Sequence, residues 1–169
     1  YWRCFDKNWS QKDFFDYGKF VDKNLIEYPE DKISKLSNKK NKKINLGILS
    51  ADLKSGHSIT FFLKTILSNY NKDEIEVYLI SNQIDIDSIS SEIKNLVHEN
   101  IDISRLNDLN AFNKIRELNL DIIIDVMGYT SRNRIGLFKN RIAKKQAIWM
   151  GYCNTTGLKN MDYIISDPN

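Results

Sequence analysis

Cysteine is scarce in this chain: Cys4 and Cys153 are the two in 169 residues, with no Cys-x-x-Cys spacing and no histidine beside either. That excludes a disulfide framework, argues against a zinc site and fits a reducing, cytoplasmic setting. Long apolar runs are missing as well, so neither a membrane span of about 20 residues nor a cleavable leader is expected. Charge of one sign is not in excess: 25 lysines and arginines face 22 aspartates and glutamates, and the net +3 is dispersed except at "NKKNKK", residues 38–43. No nucleic-acid footprint follows, and the basic run reads as a solvated linker. The glycines form neither G-x-G-x-x-G nor G-x-x-x-x-G-K-[ST], since Gly47 and Gly56 are too far apart and Gly47 lies inside a strand pattern. A dinucleotide cofactor and a P-loop are therefore not expected. Internal repeats and low-complexity segments are absent.

What remains is a chain with 41% apolar residues, enough for one sizeable core plus an appendage. "WSQKDFFDYGKFVDKNL" opens with Ser10 and Asp13 in capping-box spacing, and Phe14, Tyr17, Val21 and Leu25 recur at helical intervals. One amphipathic helix is expected, ending before Tyr28-Pro29. Residues 29–43 are polar and lysine-rich and read as a linker.

From Ile44 onward strands and helices alternate. "INLGILS" is followed by a helix whose Ile59, Phe62, Leu63, Ile66 and Leu67 form one stripe. "IEVYLIS" is followed by a helix marked by Ile86, Ile89, Ile93, Leu96 and Val97, and "NIDIS" by the helix "LNAFNKIREL". "DIIID", a short helix "RIGLFKNR", "QAIWMGY" and "DYIIS" complete the series. Short connections between alternating elements predict an α/β fold with a doubly wound, parallel, Rossmann-like sheet. Expected boundaries are 1–43 for the helix and linker and 44–169 for the lobe. The chain begins at Tyr1 without Met and stops at "SDPN" after an apolar strand, so it reads as a piece of a longer polypeptide.

In such a sheet, ligands meet the loops at the carboxyl ends of the strands. "DVMGYTSRNR" leaves the β-branched run "LDIIID" and carries Asp125, Tyr129, Thr130 and Arg134 to that end. Tyr129 offers a stacking face, Thr130 a hydroxyl and Arg134 a fixed charge. His57 stands at the expected start of a helix, where the dipole favours anions and a neutral imidazole able to accept a proton; plain helix capping is the alternative. His98, before the third strand, is either an acid/base group or a surface residue at a helix end. Thr155, Thr156 and Gly157 form either a plain turn or a nest of amides for a phosphate or carbonyl. Trp149 and Met150 read as core. Asp52, Asp125 and Asp167 lie near strand ends, yet no Asp-x-Asp pair marks a divalent-metal site.

The stretch "DVMGYTSRNRIGLFKNRIAKKQAIWMGYCNTTGLKNMDYIISD" resembles the catalytic region of O-linked N-acetylglucosamine transferases and their SPINDLY-like relatives, glycosyltransferase family 41. "SADLKSGHSITFFL" is similar to that family's histidine loop, and "WSQKDFFDYGKF" to the helix joining upstream tetratricopeptide repeats to the catalytic region. The resemblance implies the amino-terminal lobe of a two-lobed GT-B transferase. Such an enzyme moves a sugar, with inversion and without a metal or other cofactor, from a UDP-sugar to serine or threonine hydroxyls of an acceptor protein. The nucleotide sugar would be shared with a second lobe. It further implies His57 and His98 as catalytic residues, although His98 falls one residue off the family's second proton-transfer histidine. Gly128, Tyr129, Thr130 and Arg134 are implied as crevice residues, and Gly151, Tyr152, Thr155 and Gly157 as the lining of the sugar pocket. Two departures stand out: the family's "RPAP" is "RIAK" at 141–144 and its "YPGT" is "YCNT" at 152–155. A non-catalytic peptide-binding domain of the same fold is the alternative reading.

Overall fold

The computed structural model describes residues 8–32, 34–35, 42–85 and 87–167. Cys4, most of the basic run at 38–43 and Ile86 lie outside the described residues. Helix α1 spans Gln11–Asn24 and opens with the expected capping box, Ser10 and Asp13 each satisfying the other's backbone. The strands are β1 (Ile44–Ser50), β2 (Ile75–Ser81), β3 (Glu99–Asp102), β4 (Ile122–Asp125), β5 (Lys145–Trp149) and β6 (Tyr163–Ile165). Between them run α2 (Ser58–Asn69), α3 (Ser88–Lys94) and α4 (Asp108–Glu117). All strand pairs are parallel and the order is β3-β2-β1-β4-β5-β6. The doubly wound parallel sheet expected from the alternation is borne out.

Successive strand residues point to opposite faces, and the core divides accordingly. Ile48, Val77 and Leu79 pack with Ile59, Leu63 and Leu67 of α2 and Ile93 of α3. Leu49, Tyr78, Ile80 and Ile123 pack on the other face with Phe112 and Ile115 of α4 and with Phe138. β1 sits at the centre of the sheet, and the strand order reverses between β1 and β4. That reversal opens a crevice at their carboxyl ends.

Three elements depart from expectation for local reasons. In α2, Phe62 and Ile66 are exposed and Thr60 is buried in their place. The Thr60 hydroxyl accepts from Lys54 N–H at 2.9 Å and donates to the Asp52 carbonyl at 2.6 Å, which rotates the helix toward its polar anchor. The short helix after β4 is a 3₁₀ turn, Ile135–Lys139. Gly136 weakens its first turn, and side chains take its last carbonyls: Gln146 donates to Phe138 O at 3.2 Å and Asn160 to Lys139 O at 2.6 Å. Helix α3 stops at Lys94, short of Leu96 and Val97, which pack against the core from beyond its end.

Where it is described, the segment from Tyr28 to residue 35 is laced to the lobe. Tyr28 N–H donates to Asn140, and Ser34 N–H and the Lys32 carbonyl both bond the Asn113 side chain of α4. Among the described residues no helix is long and apolar enough to cross a membrane.

Candidate functional site

The loop after β1 is tied before it reaches α2. Asp52 N–H donates to the Ser50 hydroxyl at 3.1 Å while its carbonyl receives Thr60. His57 holds the N-cap position in an extended conformation, but its side chain makes no capping hydrogen bond. The imidazole instead turns to the loop: Nε2 lies 3.7 Å from Asp52 Oδ2, and Nδ1 is buried with no hydrogen-bond partner. Plain capping is therefore not its role here.

The loop after β4 is shaped by Asp125. This carboxylate is fully buried, accepting from Met127 N–H at 2.9 Å and Gly128 N–H at 3.0 Å. Burial pushes it up to about 7, against the opposing pull of the two amides. Asp125 thus builds the turn and does not face the crevice as a free acid. Beyond it, Arg132 takes a positive φ of 58° and reaches across, placing Nη2 3.2 Å from Asp52 Oδ1. The Thr130 hydroxyl oxygen is buried without a partner.

These loops and the one after β5 enclose a cleft of about 520 Å³ lined by Asp52, Lys54, His57, Thr130, Arg132 and Gly151 among others. Gly151 is required there, because a Cβ would sit 1.8 Å from the Val126 carbonyl oxygen. Met150, expected in the core, packs against it from a φ of 66° and lines the same cleft as well. The cations Lys54 and Arg132 and one carboxylate, Asp52, suit an anionic ligand that carries hydroxyls. Among the described residues no three His, Cys, Asp or Glu side chains converge to hold a metal.

Of the residues expected at the site, His57, Thr130 and Gly151 line this cleft. Arg134 does not. Its side chain is 13% exposed, pairs with Asp108 at 2.8 Å and donates to Asn82 Oδ1, Ile103 O and Leu106 O, clamping the loops after β2 and β3 to the start of α4. Tyr129 turns away too, donating to the Thr156 carbonyl at 2.6 Å and packing edge-on against Tyr17 and Tyr152. Gly128, at a φ of 54°, lies beneath the Tyr152 ring. The turn at 154–158 uses its own amides. Gly157 N–H donates to Thr155 Oγ1 at 3.2 Å and Leu158 N–H to Thr156 Oγ1 at 3.4 Å, so the expected nest is already filled. Gly157 itself abuts Gly18 of α1, where a Cβ on either residue would come within 3 Å of the other segment's backbone.

His98 lies at the far end of the sheet. It precedes β3, its N–H bonds Val77 O near the start of β2, and its ring rests against Tyr78 with Nε2 4.0 Å from Glu76. The structure does not bring it to the cleft. Asp52, weighed in the sequence only against a metal site, and Lys54 and Arg132, which no motif marks, are the further residues of the cleft. The position of Asp52 two residues past β1 was an available signal; the reach of Arg132 was not.

Residues 15–169 match the sequence model described as Glycosyl transferase family 41. Over 128 residues the chain is 29% identical to the probable UDP-N-acetylglucosamine-peptide N-acetylglucosaminyltransferase SPINDLY of Arabidopsis thaliana, covering 73% of this chain and 14% of that protein. Its counterpart in Petunia hybrida is 30% identical over 126 residues, 72% of this chain and 13% of the relative. The UDP-N-acetylglucosamine-peptide N-acetylglucosaminyltransferase of Caenorhabditis elegans is 28% identical over 127 residues, 74% of this chain and 11% of the relative. The chain thus spans less than a sixth of the length of these relatives. A solved mutant O-GlcNAc transferase of Thermobaculum terrenum shares the fold with a TM-score of 0.81 at 21% identity, over 94% of this chain and 31% of that one. The match runs through all three loops of the cleft and through every strand of the sheet, and on that ground the chain belongs to glycosyltransferase family 41.

Proposed function

We propose that this chain is the amino-terminal lobe of the catalytic region of a two-lobed GT-B protein glycosyltransferase. The enzyme transfers N-acetylglucosamine from a UDP-sugar to serine or threonine hydroxyls, with inversion and without a metal or further cofactor. The names of the curated relatives support the donor and the peptide acceptor. The observation that carries the reading is His57: a helix N-cap residue that does not cap and whose ring edge is turned into a cleft at the switch point of the sheet.

Transfer needs a base within reach of the acceptor hydroxyl and positive charge for the departing nucleoside diphosphate. Nδ1 of His57 is buried, so Nε2 is the nitrogen that takes the hydroxyl proton. The acceptor oxygen then forms its bond to the anomeric carbon, and the electron pair of the broken carbon–oxygen bond leaves on the diphosphate. Lys54 and Arg132 supply charge from this lobe, and a second lobe supplies the remaining nucleotide contacts. The isolated chain is accordingly expected to be inactive and to bind uridine diphosphate more weakly than about micromolar, because half a cleft forgoes most oriented contacts.

The test is incubation of the full-length protein with UDP-N-acetylglucosamine and a serine- and threonine-containing peptide library, with EDTA present, read by mass spectrometry. Addition of N-acetylhexosamine to hydroxyl side chains is the expected result. Peptide binding without any transfer would overturn it in favour of a non-catalytic peptide-binding domain.

A further inference from the structure

We propose that Asp52 is the positioning residue for His57, and that Arg132 anchors Asp52 for this task from across the cleft. The inference rests on the reading of His57 as the group that takes the acceptor proton. Its basis is an asymmetry in how the imidazole is held. Among the described residues the ring makes no hydrogen bond: Nδ1 is buried without a partner, and Asp52 is the one charged group within ion-pair reach of Nε2. A ring with a free Nδ1 is not oriented from behind, as a histidine base often is. Here the orienting charge stands in front, beside the nitrogen that becomes protonated.

Asp52 is built for a fixed position. Its main chain is held on both sides, by Ser50 Oγ at 3.1 Å and Thr60 Oγ1 at 2.6 Å, and its side chain is only 16% exposed. One carboxylate oxygen faces Arg132 Nη2 at 3.2 Å, which leaves the other to His57 at 3.7 Å. Arg132 is restrained in turn, since its carbonyl accepts from Asn82 Nδ2 at 2.9 Å. The 3.7 Å separation is longer than a hydrogen bond and shortens once the ring is charged, as catalytic contacts do when substrate is bound. The carboxylate therefore acts most strongly on the imidazolium that forms when the acceptor proton arrives.

The experiment uses the full-length protein with Asp52→Asn, His57→Ala and both together. Asp52→Asn is expected to lower kcat on the order of tenfold or more with the donor KM within about twofold, the pattern of an interaction made in the transition state. In the His57→Ala background the same substitution should cost nothing further. An unchanged kcat for Asp52→Asn, or losses that simply multiply in the double variant, would overturn the proposal. A crystal structure of the Asp52→Asn variant gives a readout independent of turnover: the His57 ring should lose its single orientation, and a ring that keeps it refutes the positioning role. If His57→Ala alone leaves kcat intact, the base assignment fails separately and the ring orientation still decides the role of Asp52. Should Asp52→Asn not fold, Arg132→Gln removes the anchor of the carboxylate, and the orientation of the His57 ring in its crystal structure is then the deciding readout, because Arg132 also faces the departing diphosphate: a ring that keeps its single orientation refutes the proposal.

Discussion

Two loops of this lobe carry similar residues and use them in opposite ways. The turn at 154–158 has two threonines and a glycine, and its hydroxyls and amides bond each other. The walls of the cleft have Thr130 and His57, and there a hydroxyl oxygen and a ring nitrogen stay buried without partners. A related contrast separates Arg134, whose side chain is 13% exposed, whose two terminal nitrogens donate to three carbonyl or amide oxygens and whose Nε lies in ion-pair range of Asp108, from Arg132, 40% exposed and, among the described residues, paired with the one side chain of Asp52. Polar groups whose bonds are filled by the fold hold it up. Those left over at a crevice are where a ligand can complete the set.

The sharpest way to break this comparison is His57→Ala in the full-length protein. Turnover should fall on the order of 10²-fold or more, the range for a positioned acid/base group, with little change in Tm because no cap is lost. Single-turnover rates beside a thermal melt check it, and near-normal chemistry in a destabilised protein would make His57 structural after all.

Arg134→Ala comes next and acts on folding. Losing a mostly buried guanidinium and its charge-assisted bonds should cost about 2 kcal/mol, read as a shift of the urea midpoint of this chain. The exposed partner Asp108 contributes little to that figure.

Asp125→Asn tests a group that the fold has used up. Because the folded carboxylate is pushed up to about 7 from 3.8, the native state holds a proton that the unfolded chain releases first. Its contribution is thus present in acid and lost as pH rises through the window from about 4 to about 7, with a slope of up to about 1 kcal/mol per pH unit. Urea titrations at several pH values should show that component in the parent chain and not in Asp125→Asn.

Gly157→Ala should cost about 2 kcal/mol or more through its positive φ and the crowding against the backbone of Gly18. Earlier proteolytic release of α1 than in the parent chain would report it. The smallest effect belongs to Arg132→Ala, whose half-exposed ion pair should leave stability within about 0.5 kcal/mol. A large loss of stability there would erase the distinction between the two arginines.

Much of the fold was readable because it is encoded locally. Ser10 and Asp13 are three residues apart, the buried strands are short β-branched runs, and alternation with helices implies parallel pairing. The cleft was readable only in outline. Histidine after β1 pointed to it, but nothing local says which of two arginines two residues apart turns outward. That depends on a positive φ at Arg132 and on a pair to Asp52, 80 positions away in sequence. A loop arginine at a strand end has no visible partner in sequence, so Arg134 reads as a ligand residue; its partners come from the loops after β2 and β3 and from the start of α4. His98 could have been placed correctly, since a residue preceding a parallel strand lies at the amino end of the sheet, away from the crevice. The chemistry of histidine outweighed its geography.

The contact between Gly18 and Gly157 has a mechanical consequence. A helix seated on side chains can slide or roll by several tenths of an ångström while rotamers adjust, but at Gly18 α1 meets the 154–158 turn backbone on backbone, with no side chain in between. At that one point a shift of α1 cannot be taken up by a change of rotamer. The Tyr129 hydroxyl fastens that turn to the loop bearing Thr130 and Arg132. A continuous chain of contacts thus joins α1, through the turn, to the loop that carries Arg132.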